Sequence, residues 1–74
     1  MFVDYKDIDG DSDIYQYEIG PDYISVKFND NSTIYKYSYA KAGQYHVENM
    51  KRLAEHGDGL NSYINKNCKY RYDK

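Results

Sequence analysis

Acidic residues near the start of the chain have the spacing of a metal-binding loop. Four of them occupy the first, third, fifth and twelfth places of a twelve-residue segment, namely Asp7, Asp9, Asp11 and Glu18. EF-hand loops place oxygen ligands at these positions, because Ca²⁺ needs hard oxygens on all sides. However, Ser12 stands where the sharp turn requires glycine, and Gly20-Pro21 blocks a following helix. The sequence therefore favours a solvated acidic segment over a calcium site, and we expect no cofactor.

The residue types that support nucleophilic or zinc chemistry are few. The chain has one cysteine, Cys68, and two histidines, His46 and His56. A nucleophile–base pair needs a third group that orients the base, and the sequence supplies none. The spacing also does not fit a zinc site. We therefore expect that the protein is not an enzyme, that His46 is a hydrogen-bonded residue of the core or its boundary, and that His56 lies near a helix end. A single cysteine forms no intrachain disulfide, which fits a reducing cytosol.

Tyrosine is unusually frequent, with eleven tyrosines and no tryptophan. Exposed tyrosine rings can stack on nucleic-acid bases, at about 1–3 kcal/mol per base, while lysine and arginine contact the phosphates. We predict a site for nucleic acid or another partner at nine residues: Tyr35, Lys36, Tyr37, Tyr39, Lys66, Lys69, Tyr70, Arg71 and Tyr72.

The competing interpretation of the tyrosines is structural, and the pattern favours it. Tyrosines of two strands would line the inner face of a sheet beneath a helix, with their hydroxyls at the rim: Tyr15, Tyr17, Tyr35, Tyr37 and Tyr39. The outer face would then be a more polar surface for protein contact, carrying Tyr23, Ser25, Lys27, Ile34, Lys36 and Ser38.

Three segments alternate between two side-chain types, as half-buried strands do. They are residues 14–19, 23–28 and 33–39, separated by polar turns at 20–22 and 29–32. This pattern predicts an antiparallel meander with one buried face. Residues 69–72 also alternate and form either a fourth, edge strand or an extended tail. Residues 1–13 are expected to be an acidic N-terminal arm, a loop or frayed segment, and residues 14–74 a single domain.

The period changes after the third strand. From about Lys41 to His56 the apolar residues are spaced three and four apart, which predicts an amphipathic helix. They are Val47, Met50, Leu53 and Ala54. Gly57 is expected to end this helix in the left-handed conformation, and residues 59–64 to form a short second helix. The predicted fold class is α+β, a small antiparallel meander of three to four strands with one main helix and a short second helix on one face.

The order of these motifs resembles the KTSC family, whose members occur alone in bacterial and phage proteins and at the C-terminus of some lysyl-tRNA synthetases. Val26-Lys27-Phe28 matches the end of its strand, and Tyr35-Lys36-Tyr37 matches its central Tyr-x-Tyr. Residues 57–64 match its Gly-x-x-[Phe/Leu]-Asn-x-x-Ile run, and Tyr70-Arg71-Tyr72 its end. The loop after Phe28 is one residue longer than usual, and Glu55 replaces a frequent serine.

The resemblance covers roughly residues 12–72 and implies a small α+β fold, a suggested role in RNA binding and no established catalysis. It implies structural roles for five motif residues: Phe28, Gly57, Leu60, Asn61 and Ile64. From the residues alone, we expect Asn61 to satisfy backbone groups in the turn before Leu60.

Charge and hydropathy restrict the function further. The net charge is -2, with acids concentrated in residues 1–22 and a basic segment at 66–74. This balance argues against avid binding to a phosphate backbone but leaves a small basic footprint. No apolar run is long enough for a signal peptide or a membrane span, so we expect a cytoplasmic protein.

Two functions are consistent with these features. The first is a non-enzymatic module that binds RNA through exposed tyrosines and the basic C-terminal segment. The alternative is a protein-interaction factor of a phage or mobile element that inhibits a host nucleic-acid machine, such as a CRISPR effector or another defence system. In that case the acidic arm could imitate nucleic-acid phosphates and dock on a basic groove of the host protein or nucleoprotein complex.

Overall fold

The computed structural model describes residues 1–6, 13–29 and 34–73. The strands are β1 (Val3–Asp4), β2 (Ile14–Ile19), β3 (Tyr23–Phe28) and β4 (Ile34–Ser38); the helices are α1 (Tyr39–Ala42), α2 (Gln44–His56) and α3 (Leu60–Tyr63), which continues into a π-helical segment, Ile64–Cys68. The predicted α+β class, with an antiparallel sheet, a main helix and a short second helix, is confirmed.

The four strands form one antiparallel sheet in the order β1-β2-β3-β4. The meander of β2, β3 and β4 is the predicted one, but the fourth strand comes from the other end of the chain. Val3 pairs with Tyr17, and the buried Tyr5 packs edge-on against the same ring at a centroid distance of 6.4 Å. Residues 1–6 therefore belong to the domain, whereas we expected a loop or frayed arm. A two-residue strand is too short to show a period of two in the sequence.

One face of the sheet forms the core with the helices. Ile24 pairs with Tyr37 and Val26 with Tyr35, and Ile24, Val26 and Tyr37 are at most 1% exposed. Val47 and Met50 of α2 are completely buried against this face. Tyr15 was expected on the inner face, but the register shifts between Ile14 and Gln16, and Tyr15 is 40% exposed at this bulge. A bulge inserts one extra residue, which redirects its side chain.

The transition from sheet to helix comes earlier than the alternation predicts. Tyr39 was expected in the strand but is the first residue of α1, because the Ser38 side chain accepts a hydrogen bond from the Lys41 backbone N–H and caps the helix. The main helix was expected from about Lys41 but begins at Gln44, because Gly43, with φ of 94°, separates α1 from α2. Only glycine adopts such a φ readily.

The segment after α3 returns to the sheet without forming the strand that residues 69–72 could have formed. Lys69 and Tyr70 lie in a turn, and Asp73 forms an isolated bridge to β4, where its N–H donates to the Lys36 carbonyl at 2.7 Å. The Ser38 hydroxyl donates to the Asp73 carboxylate at 2.8 Å. The C-terminal segment is thus fixed along β4 rather than being a free basic tail.

Gly57 ends α2 in the left-handed conformation as predicted, with φ of 86°. It lies against Lys6, so a substitution at Gly57 would test how the N-terminal segment packs. A Cβ atom at Gly57 would lie 2.6 Å from the Cβ of Lys6, whereas at Gly59, also left-handed, it would lie 3.7 Å from Leu53. We expect Gly57→Ala to lower the free energy of unfolding by more than the roughly 1–2 kcal/mol of the left-handed conformation alone. Gly59→Ala is the matched control, and urea unfolding measures both. Equal losses would show that the segment around Lys6 does not hold this close approach.

Candidate aromatic binding pocket

An open cavity of about 340 Å³ lies where the sheet, α3 and the C-terminal segment meet. β3 and β4 contribute aromatic residues, and α3 with the π-helical segment contributes polar ones. The lining residues are Asp13, Phe28, Tyr35, Tyr37, Asn61, Ile64, Asn65, Lys69, Tyr70 and Tyr72. Its size lies near the lower end of the roughly 300–1,000 Å³ of small-molecule sites, and its mixed aromatic and polar wall is typical of them.

The aromatic wall is a chain of edge-to-face contacts. The ring centroids of Phe28 and Tyr35 are 5.3 Å apart, those of Tyr35 and Tyr72 are 4.8 Å apart, and those of Tyr37 and Tyr72 are 6.4 Å apart. The ring planes cross at 78–82°. Such pairs stabilise each other by about 0.5–1.5 kcal/mol beyond the area they bury. The wall is therefore held in place before any ligand arrives.

The tyrosines of the pocket differ in what they can do. Tyr37 is only 1% exposed, and burial raises the pKa of its hydroxyl well above the ordinary value. Its role is therefore to pack beneath the Tyr72 ring rather than to contact a ligand with its own face. Tyr35 and Tyr72 are half-buried. Tyr70 is 79% exposed, and the Lys69 Nζ lies 5.6 Å from its ring centroid. Tyr70 is therefore the ring at the rim that is available for stacking.

The polar part of the wall comes from the helix opposite the aromatic rings. Asn61 on α3 and Asn65 on the π-helical segment are four residues apart, so both reach the same cavity. Each amide offers two N–H donors and one carbonyl acceptor. Asp13 adds a carboxylate and Lys69 an ammonium group to the lining. The pocket therefore combines flat apolar surfaces with hydrogen-bonding groups of both kinds.

The structure brings together five of the nine residues predicted to bind: Tyr35, Tyr37, Lys69, Tyr70 and Tyr72. Lys66 and Arg71 are exposed on the same C-terminal part of the chain, outside the lining. Two predicted residues lie elsewhere. Lys36 is on the outer face of the sheet, where its Nζ lies 4.6 Å from the Tyr23 ring centroid. Tyr39 donates a hydrogen bond to the Glu48 carboxylate, which raises its pKa.

The residues singled out by the family motif also meet here. Phe28, Asn61 and Ile64 line the pocket. Leu60 is completely buried in the core, and its backbone N–H donates to the Tyr5 hydroxyl at 3.3 Å. Sequence reasoning missed Asp13 and Asn65. Asn65 could have been found from its spacing of four from Asn61 on a helix, whereas Asp13 reaches the pocket only through the path of the chain.

Three of the four candidate calcium ligands, Asp7, Asp9 and Asp11, lie outside the residues that the structure describes. Glu18 is described, and its carboxylate binds the N-terminal ammonium group and accepts a hydrogen bond from the Tyr23 hydroxyl. These contacts hold the pKa of Glu18 below its usual value. Within residues 1–6, 13–29 and 34–73, no three acidic, histidine or cysteine side chains are grouped so that they could hold a metal ion.

The histidines and the cysteine have separate environments. His46 is half-buried, and its Nδ1 lies 2.7 Å from the Tyr63 hydroxyl, as expected for a hydrogen-bonded residue at the core boundary. The same hydroxyl accepts a hydrogen bond from the Asn49 amide at 3.2 Å. Cys68 is completely buried, which raises the pKa of its thiol and disfavours the reactive thiolate. His56 is exposed in the last turn of α2.

Fold and pocket together define a small α+β domain with an aromatic cavity beside the sheet. Comparison of the chain with family models, curated proteins and solved structures finds no match. The resemblance to the KTSC family therefore stays a prediction.

None of the helices in the described part of the chain is long and apolar enough to cross a membrane.

Proposed function

We propose that this domain binds single-stranded RNA by taking one base into the aromatic pocket and stacking a neighbouring base on Tyr70. The observation that carries the proposal is the composition of the pocket wall. Tyr35 and Tyr72 supply a preformed aromatic surface, and Asn61 and Asn65 supply amides on the other side. Proteins that read single-stranded RNA use this combination, with rings against the base planes and polar groups on the base edges.

The charges around the pocket fit a nucleic-acid strand at its mouth. Lys66, Lys69 and Arg71 are exposed within six residues of one another, and Lys69 also lines the cavity. Phosphate contacts by such residues give a salt-dependent affinity. Because the whole chain has a net charge of -2, the few local cations act against an unfavourable background. We therefore expect modest affinity at low salt and weak binding at physiological ionic strength.

Binding to a fluorescently labelled single-stranded RNA pentamer, followed by anisotropy over a series of salt concentrations, tests the proposal. We expect Lys69→Ala combined with Arg71→Ala to weaken binding and to make the dependence of log K on log salt shallower by about 0.7 per lost phosphate contact. Lys41→Ala, an exposed lysine on α1, is the control and should leave the slope unchanged.

No binding of the wild-type domain at low salt would overturn the proposal. That result would favour the protein-interaction factor, which inhibits a host nucleic-acid machine. The outer face of the sheet, where Ile34 is 50% exposed beside Lys27 and Lys36, is the surface on which its partner would be sought.

A further inference from the structure

We infer that the base preferred by the aromatic pocket is guanine, an inference that rests on the proposed binding of single-stranded RNA. It comes from the two charged residues of the lining, Asp13 and Lys69, rather than from the aromatic wall. Stacking hardly distinguishes bases, because every base has an aromatic face. Selectivity must therefore come from the polar groups that meet the base edge.

Asp13 and Lys69 form no ion pair among the described residues, although the Lys69 Nζ lies over the Tyr70 ring. The ion pairs within residues 1–6, 13–29 and 34–73 join other groups: the N-terminal ammonium to Glu18, and Lys51 to Glu48. Both pocket residues are also exposed at their positions on the wall. A carboxylate only accepts hydrogen bonds and an ammonium group only donates them. The pocket therefore presents one group that needs donors from the ligand and one that needs acceptors.

Guanine offers hydrogen-bond acceptors for Lys69 and hydrogen-bond donors for Asp13. Its O6 and N7 are neighbouring acceptors, which lysine contacts in nucleic-acid complexes. Its N1–H and exocyclic N2–H₂ are neighbouring donors, which fit the two oxygens of a carboxylate. Adenine and cytosine place a ring acceptor next to their single exocyclic amine, and uracil flanks its one N–H with two carbonyls. Those acceptors would face the Asp13 carboxylate unfavourably. Asn61 and Asn65, with donors and acceptors of their own, can serve the remaining edge atoms.

The test uses four RNA pentamers, UUGUU, UUAUU, UUCUU and UUUUU, with the whole chain and fluorescence anisotropy at low salt. We expect UUGUU to bind about 5- to 150-fold more tightly than UUUUU, the range of one good two-point base contact. A pentamer with inosine at the centre lacks the N2 amine and should lose part of this preference. Asp13→Asn replaces the carboxylate with an amide, whose NH₂ group would face the donors of guanine. The preference for guanine should therefore fall or vanish.

Removing a carboxylate also reduces repulsion of RNA in general, so the control must make the same charge change elsewhere. Glu55→Gln, on the exposed side of α2, does so and should retain the preference for guanine. Equal affinity for all four pentamers, or preference for another base, would overturn the guanine inference while leaving RNA binding intact. A guanine preference that survives Asp13→Asn would likewise overturn it, because the carboxylate would not be the discriminating group. Failure of every pentamer to bind would overturn both proposals.

Discussion

Replacing Tyr70 with alanine is expected to weaken binding of the UUGUU pentamer about 5- to 150-fold, the equivalent of one stacked base. Tyr70 is the most exposed tyrosine of the pocket, at 79%, and Lys69 lies over its ring. Because so little of the ring is buried, the free energy of unfolding should stay nearly constant. Anisotropy titrations measure the affinity, and urea unfolding verifies the fold.

Tyr45 provides a matched control for this substitution. It is 75% exposed on α2 and contacts His46 at a ring centroid distance of 5.5 Å, away from the pocket lining. Tyr45→Ala removes a ring of the same type and exposure, so its effect on affinity should be small. Equal losses for the two variants would mean that stacking is not localised at the pocket. An unchanged affinity in Tyr70→Ala would remove Tyr70 from the binding site.

Replacing Met50 with alanine is expected to lower the free energy of unfolding by about 2–5 kcal/mol, the usual cost of truncating a large buried apolar side chain. Met50 is completely buried on the side of α2 that faces the sheet, in one cluster with Val26 and Tyr37. Total stabilities are about 5–15 kcal/mol, and a small domain has a thin core. The variant should therefore lose a large share of its stability, as a lower urea midpoint, followed by helical circular dichroism, would show.

Glu55→Ala, on the exposed side of the same helix, is the control for the change to alanine itself. Alanine is the best helix former, so this variant should keep the stability of the parent chain within about 0.5 kcal/mol. A loss in Met50→Ala no larger than in Glu55→Ala would contradict the docking of α2 on the sheet.

The sequence correctly predicted those strands and helices that are long enough for the periodic spacing of their apolar residues to repeat. The alternation of residues 23–28 correctly put Ile24 and Val26 on the buried face, and the stripe of Val47 and Met50 correctly gave α2 its inner side. A period of two or of 3.6 residues is visible only when the segment is long enough to repeat it. The two residues of β1 and the single turn of α1 are too short for this.

The pocket could be predicted only in part, since it depends on contacts between distant segments. Tyr35 and Tyr70 could be proposed as binding residues because of their type. Tyr72 packs on both Tyr35 and Tyr37 because the chain returns to the sheet after α3. No local sequence pattern predicts this return. The bulge redirects Tyr15, and the cap from the Ser38 side chain places Tyr39 in α1 instead of the strand, where it still packs against the core.

The bridge between Asp73 and Lys36 also affects how other chains can approach the sheet. An unpaired border of a sheet offers N–H and C=O groups to a foreign strand, which leads to aggregation or to partner binding by strand addition. Here the C-terminal segment occupies the Lys36 carbonyl on one border, and the other border is a strand of two residues, Val3–Asp4. Within the described residues, both borders are therefore short or interrupted templates. Addition of a strand from a partner or from a second copy of the chain is disfavoured at these borders.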